Sequence, residues 1–201
     1  MKDKVVIITG GASGIGFASA KLFLENNAKV IIIGRDQVKG EAATIALRAV
    51  GDSVEFIRCD LSKVSECQNL VKKIIDNYHK VDVLINNAGI SHIGLLSDMT
   101  PEEWNNIVAI NLTGVFNFTK LVTPYMVADK CGRILQISSV WGNVGASCEV
   151  AYSACKGGIN AFTKALGKEL APSHIPVNAI ACGVIDTDMN RCFDETERAE
   201  L

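Results

Sequence analysis

The sequence predicts an α/β fold: a single doubly wound parallel sheet with helices on both faces. Three observations carry that prediction. Short β-branched runs alternate with longer amphipathic segments along the whole chain. The strand-like runs are apolar at nearly every position, as expected of strands buried on both faces. A glycine-rich turn joins the first strand to the first helix, where nucleotide-binding sheets place theirs. In chain order, strands are predicted at 5–9, 30–33, 54–58, 83–86, 134–138 and 177–181. Helices are predicted at 14–26, 37–50, 63–79, 102–129 (read as two helices) and 151–171. After Ile185 the composition turns polar, and residues 186–198 are expected to form a loop leading into a short helix.

Composition narrows the function. A chain of 201 residues, 48% hydrophobic and 21% charged, suits one domain spanning 1–201. The net charge is −2 and no run of Lys or Arg occurs, so neither nucleic acid nor an anionic membrane is an expected partner. A small molecule is. The first strand begins at Val5, leaving no room for a leader, and no apolar stretch is expected to reach the roughly 18 residues of a membrane span. Seven scattered cysteines without a Cys-x-x-Cys pair suggest reduced thiols in a cytoplasmic protein, not a disulfide framework. The three histidines are far apart, so no metal site is expected.

Two motifs carry chemistry. Thr9-Gly10-Gly11-Ala12-Ser13-Gly14-Ile15-Gly16 follows the first strand and opens the first helix. Gly10 suits the tight turn, Gly14 lets backbone approach a pyrophosphate, and Gly16 permits close helix-to-strand packing. Tyr152 and Lys156 are four apart on a predicted helix and so share a face. A nearby ammonium would favour the phenolate and bring the Tyr152 pKa down toward a useful range.

Together these motifs resemble the short-chain dehydrogenase/reductase family. The Gly-x-x-x-Gly-x-Gly spacing, Asn86-Asn87-Ala88-Gly89, Asn111, Ser139 thirteen residues before Tyr152, and Lys156 match that family in order and spacing. The resemblance covers essentially the whole chain. It implies a Rossmann-like fold, with Ser139, Tyr152, Lys156 and Asn111 catalytic: Tyr152 as proton donor, Ser139 holding the substrate oxygen, Asn111 linking Lys156 to solvent. It also implies cofactor contacts from Gly10, Ser13, Gly14, Ile15, Gly16, Arg35, Asp60, Leu61, Asn87, Ala88, Gly89, Tyr152, Lys156, Ile185 and Thr187. Two departures stand out. Cys182-Gly183 occupies the place of the family's Pro-Gly, and the C-terminal helix and last strand of the family are missing from the sequence.

An acid at the end of the second strand would select NAD by bonding the ribose hydroxyl. Gly34 stands there instead, with Arg35 placed to pair with the extra phosphate of NADP. NADP(H) is therefore favoured, with NAD(H) as the alternative, since Asp36 could compete for Arg35 or cap the next helix. Asp60 has a capping alternative of the same kind.

The substrate end is expected from loops 91–93, 141–148 and 185–189, with His92 a pocket wall or solvated and Trp141 either lid or core. Apolar residues on more than one side of 113–126 and 151–171 suit burial in a homodimer or homotetramer, or simple packing on the sheet. The overall pattern most resembles bacterial 3-oxoacyl-acyl-carrier-protein reductases, implying an acyl-thioester substrate. Hydroxysteroid dehydrogenases of the family, or a non-catalytic NADP(H) sensor, are the alternatives. An acyl-carrier enzyme should show Lys or Arg at the pocket mouth, and a steroid enzyme a broad apolar slot.

Overall fold

The computed structural model describes residues 1–190. Six strands form one parallel sheet in the order β3-β2-β1-β4-β5-β6. They are β1 (Val5–Thr9), β2 (Lys29–Gly34), β3 (Val54–Arg58), β4 (Val83–Asn86), β5 (Arg133–Ser139) and β6 (Val177–Cys182). The chain winds outward from β1 to β3, then returns to place β4 on the other side of β1, pairing Thr9 with Asn86. At such a reversal the helices leave on opposite faces of the sheet and a crevice opens beyond the strand tips.

Strand side chains alternate between the two faces, and the core divides accordingly. Val5, Ile7, Ile31, Ile33 and Leu84 pack against α3 (Val64–Tyr78) and α5 (Gly114–Asp129) through Val71, Ile74, Phe118 and Val122. Val6, Ile8, Val30, Ile32 and Ile85 pack against α1 (Gly14–Glu25) and α2 (Gln37–Arg48) through Ala20, Leu24 and Leu47. The five residues of β1 are all buried, as the unbroken apolar run predicts. Edge strand β6 departs from that expectation. None of its residues is fully buried, and Ile180 is 50% exposed, because no element covers one of its faces among the described residues.

The 102–129 stretch is indeed two helices, α4 (Pro101–Val108) and α5, but they are fused through a π-helical turn at Ala109–Thr113. Nothing in the hydrophobic spacing distinguishes a π turn from an α turn, so the sequence reading missed it. Thr100 and Glu103 cap α4 reciprocally. The run Pro101–Asp129 is long and apolar enough to cross a membrane by length and composition, contrary to the expectation that no stretch is. Half of it is buried inside the protein, in keeping with a core helix. A short helix α6 (Trp141–Val144) precedes α7 (Val150–Leu170). The short helix expected near 194–198 lies outside the described residues.

Candidate active site

Beyond the tips of β1, β4, β5 and β6 lies a cleft of about 370 Å³. Its floor begins at the glycine turn. Gly10 has φ +65°, and a Cβ there would lie 2.9 Å from the Ala88 Cα, so the turn and the 87–89 segment approach too closely for any side chain. Asn87 locks the two together: its side-chain amide donates to the carbonyls of Thr9 and Gly10, at 3.1 and 3.0 Å. The Thr9 hydroxyl accepts from the Asn87 and Ala88 N–H groups, both at 3.0 Å. Gly16 performs the packing role its spacing predicts, facing the Gly10 carbonyl. Ser13, the N-cap of α1, makes no side-chain cap bond, which leaves the first N–H groups of the helix open toward the cleft. Open amides, positive dipole and absent side chains suit a pyrophosphate, so this cradle fits a dinucleotide cofactor.

The second group stands on β5 and α7. Ser139 ends β5, its Oγ accepting from the Trp141 N–H at 3.2 Å. Tyr152, on α7, lines the same cleft, and the Ser139 hydroxyl favours its ionised form. Lys156 is buried, and its Nζ lies 5.4 Å from the centroid of the Tyr152 ring. A Cβ on Gly89 would sit 3.2 Å from Asn111 Oδ1 and 3.8 Å from Lys156 Nζ, so these groups converge on one point.

The electrostatics correct one expectation. Burial pushes the Tyr152 phenol above its ordinary value; the Ser139 hydroxyl opposes this and the Glu149 charge adds to it. The Lys156 ammonium is held by the Ile137 carbonyl, to which it donates at 2.7 Å. Burial in turn brings the Lys156 pKa down to about 8. The phenol-to-ammonium geometry expected from the spacing is thus only partly assembled: same helix face, but the ammonium is held on strand backbone.

Asn111 sits in the π-helical turn. Its amide donates to the Ile90 carbonyl at 2.7 Å and accepts from the Ile90 N–H at 2.8 Å, which clamps the segment after β4 over the site. π turns often mark functional positions.

The remaining predicted residues fall in two sets. Ile15, Ile185 and Thr187 line the cleft; the Thr187 methyl would meet a Cβ on Gly14 at 3.1 Å, so the segment after β6 closes over the glycine turn. Arg35, Asp60 and Leu61 lie outside the cleft lining, at the ends of β2 and β3. Arg35 is exposed and close enough to Asp60 to help hold that carboxyl below its usual range against the opposing effect of burial. Asp36 caps α2, accepting from the Lys39 N–H at 3.0 Å. Asp60 instead caps the turn before α3 through the Ser62 N–H and hydroxyl, at 3.1 and 2.7 Å. Leu61 buries its side chain in the core.

Trp141 lines the cleft and is no core residue, while His92 lies outside the lining, 3.9 Å from a Glu103 oxygen. Ser91 lines the cleft as expected of loop 91–93, and its hydroxyl makes a short hydrogen bond to Glu149, a cleft residue that the sequence reading missed. Glu149, three residues before Tyr152, was detectable by the same helical spacing that pairs Tyr152 with Lys156. Among the described lining residues Lys156 alone is basic, and Glu149 and Asp188 are acidic. The basic mouth expected of an acyl-carrier enzyme is therefore absent from this lining.

Comparison with known proteins agrees with this geometry. The chain is 39% identical over 197 residues to the 3-oxoacyl-[acyl-carrier-protein] reductase FabG of Chlamydia pneumoniae, covering 98% of this chain and 79% of that one. It is 38% identical over 200 residues to the Thermotoga maritima protein of the same name, covering 98% and 80%. An actinorhodin polyketide ketoreductase solved with NADPH superposes with a TM-score of 0.92 at 33% identity, over 100% of this chain and 82% of that one. With the short chain dehydrogenase model matched across residues 4–198, the chain belongs to that family and is an oxidoreductase.

Proposed function

We propose that this protein reduces a carbonyl group with NADP(H), with a 3-oxoacyl thioester as the first substrate to test, and that one domain carries both cofactor and substrate chemistry. The observation that carries the reading is Ser139, Tyr152 and Lys156 lining one cleft at the strand tips, beside an open glycine cradle. A bound nicotinamide supplies hydride to the carbonyl carbon. Ser139 and Tyr152 hold the carbonyl oxygen, and Tyr152 gives up its proton as charge develops there. Phenol burial favours that role, since a proton donor must hold its proton until the alkoxide forms. Lys156, its pKa brought down to about 8 by burial, is placed to restore the proton or to bind the nicotinamide ribose. Gly10, Ser13, Gly14, Ile15, Gly16, Asn87, Ala88, Gly89, Ile185 and Thr187 would hold the cofactor, with Asp60 and Leu61 on the adenine side.

Arg35 supports the phosphorylated cofactor. It projects at the end of β2 while the competing carboxylate, Asp36, is spent on a helix cap. The thioester substrate draws support from the FabG relatives and the ketoreductase neighbour. A cytoplasmic location and a homodimer or homotetramer complete the proposal; exposed Phe116 and Tyr125 on α5 suit a subunit contact.

The test is NADPH oxidation with an acetoacetyl thioester, a ketosteroid and simple ketones. Tyr152→Phe should lose about 100-fold or more in turnover while binding NADPH as before. Unchanged turnover in that variant would remove the proton-donor assignment, and tight NADPH binding without turnover of any carbonyl would favour a sensor.

A further inference from the structure

The proposed chemistry leaves Glu149 unexplained. A carboxylate beside the reacting phenol raises the pKa of Tyr152 and brings nothing to the reduction of a neutral carbonyl. It would also repel an acidic carrier or an anionic substrate. Yet the structure goes to some length to hold it there. The Ser91 hydroxyl bonds the carboxylate across the cleft, and the Gly94 N–H donates to the Cys148 carbonyl at 2.9 Å, tying the loop after β4 to the loop before α7 a second time. Cys148, immediately before Glu149, has φ +62°, a left-handed backbone that costs a non-glycine residue about 1 kcal/mol or more. Helix α7 then begins directly, with the Ser153 N–H on the Glu149 carbonyl at 2.8 Å. Loop strain and two cross-loop bonds together fix a carboxylate in the substrate half of the cleft. No Lys, Arg or His within 4.0 Å of it forms an ion pair among the described residues, although three other carboxylates do.

We infer that Glu149, held by Ser91, is a specificity-determining residue that selects carbonyl substrates bearing a protonated amine. The inference rests on the carbonyl-reductase reading and narrows its substrate class. An ammonium on the substrate gives Glu149 the counter-charge that no ion pair supplies among the described residues, and in this partly desolvated cleft such a charge-assisted hydrogen bond is stronger than a neutral one. Once paired, the carboxylate no longer opposes the charge that develops near Tyr152. Lys156, the one basic lining residue among the described residues, is committed to the Ile137 carbonyl and to the Gly89 side of the cleft, so it does not compete for Glu149.

A matched pair of ketones tests this: para-(aminomethyl)acetophenone, charged at neutral pH, and para-ethylacetophenone, its neutral counterpart of similar shape. The expected result is a kcat/KM with NADPH about 10-fold to 100-fold higher for the amine, the range of a hydrogen bond to a charged group. Glu149→Gln should bring that ratio close to one, most of the change appearing in KM. Should that variant fold poorly, Ser91→Ala, which releases the carboxylate from its tether, should lower the ratio as well. A ratio of one or below in the unaltered protein, failure to reduce the amine while the acetoacetyl thioester is turned over, or a ratio indifferent to both substitutions would each overturn the inference and leave the reductase reading standing. Loss of turnover on every carbonyl would remove the reductase reading itself, and the inference with it.

Discussion

Replacing Gly16 with Ala should damage fold and cofactor site together, through one added methyl group. The Cβ would lie 2.3 Å from the Gly10 carbonyl oxygen and 2.6 Å from Asn87 Nδ2. Ordinary carbon–oxygen contact begins near about 3.3 Å, so the helix and the turn must separate by about 1 Å. Neither neighbour yields easily. Gly10 is backbone, tied by its N–H to the Ile33 carbonyl at 2.7 Å, and Asn87 is pinned by two backbone carbonyls. Overpacking of this kind costs about 1–3 kcal/mol, partly offset by the gain of about 1 kcal/mol from Ala over Gly in a helix. Because the Asn87 bridge must break as well, a net loss of about 1–3 kcal/mol is expected. Urea denaturation would read it as a lower midpoint at unchanged slope. A fluorescence titration with NADPH should show binding weakened about 10-fold or more, since opening the turn misaligns the α1 amides. If Gly16→Ala keeps both its midpoint and its NADPH affinity, the close packing of turn and helix is not what shapes the site.

Three further outcomes follow from the charges. The Lys156 pKa of about 8 lies below the roughly 10.4 of an unfolded lysine, so the unfolded chain binds the extra proton and stability rises with pH across that window. Lys156→Met should therefore unfold at higher urea at pH 7, by about 2 kcal/mol after loss of the Ile137 bond, with the gain shrinking from pH 8 to 10; a destabilised variant at pH 7 would refute this. Burial works to raise the Asp82 carboxyl, but bonds from Lys4, the Val5 N–H and Lys80 outweigh it and hold the pKa below the usual range. A depressed carboxyl stabilises above its unfolded value of about 3.9, and that contribution is lost as pH falls through the folded value. Asp82→Asn should accordingly cost about 1–3 kcal/mol at pH 7 and progressively less below about pH 4, and a pH-independent difference would contradict the assignment. Arg35→Ala should weaken NADPH binding about 10-fold to 100-fold and NADH far less; equal effects would remove the basis for preferring the phosphorylated cofactor.

The sequence by itself determined the scaffold and most of the cradle. Strand and helix periodicities are local properties of the chain, so β1, β3 and β4 could be read to the residue, and the Gly10, Gly14 and Gly16 spacing assigned each glycine a role that depends on its lack of a side chain. Tertiary structure alone decided the charges. The carbonyl that accepts the Lys156 hydrogen bond belongs to Ile137, nineteen residues earlier on another element, and the hydroxyl on Glu149 belongs to Ser91, across the cleft. No periodicity along α7 contains either partner. Burial of Tyr152 and Lys156 likewise depends on which elements close over them, which is why a pair readable from its spacing carries pKa shifts that are not.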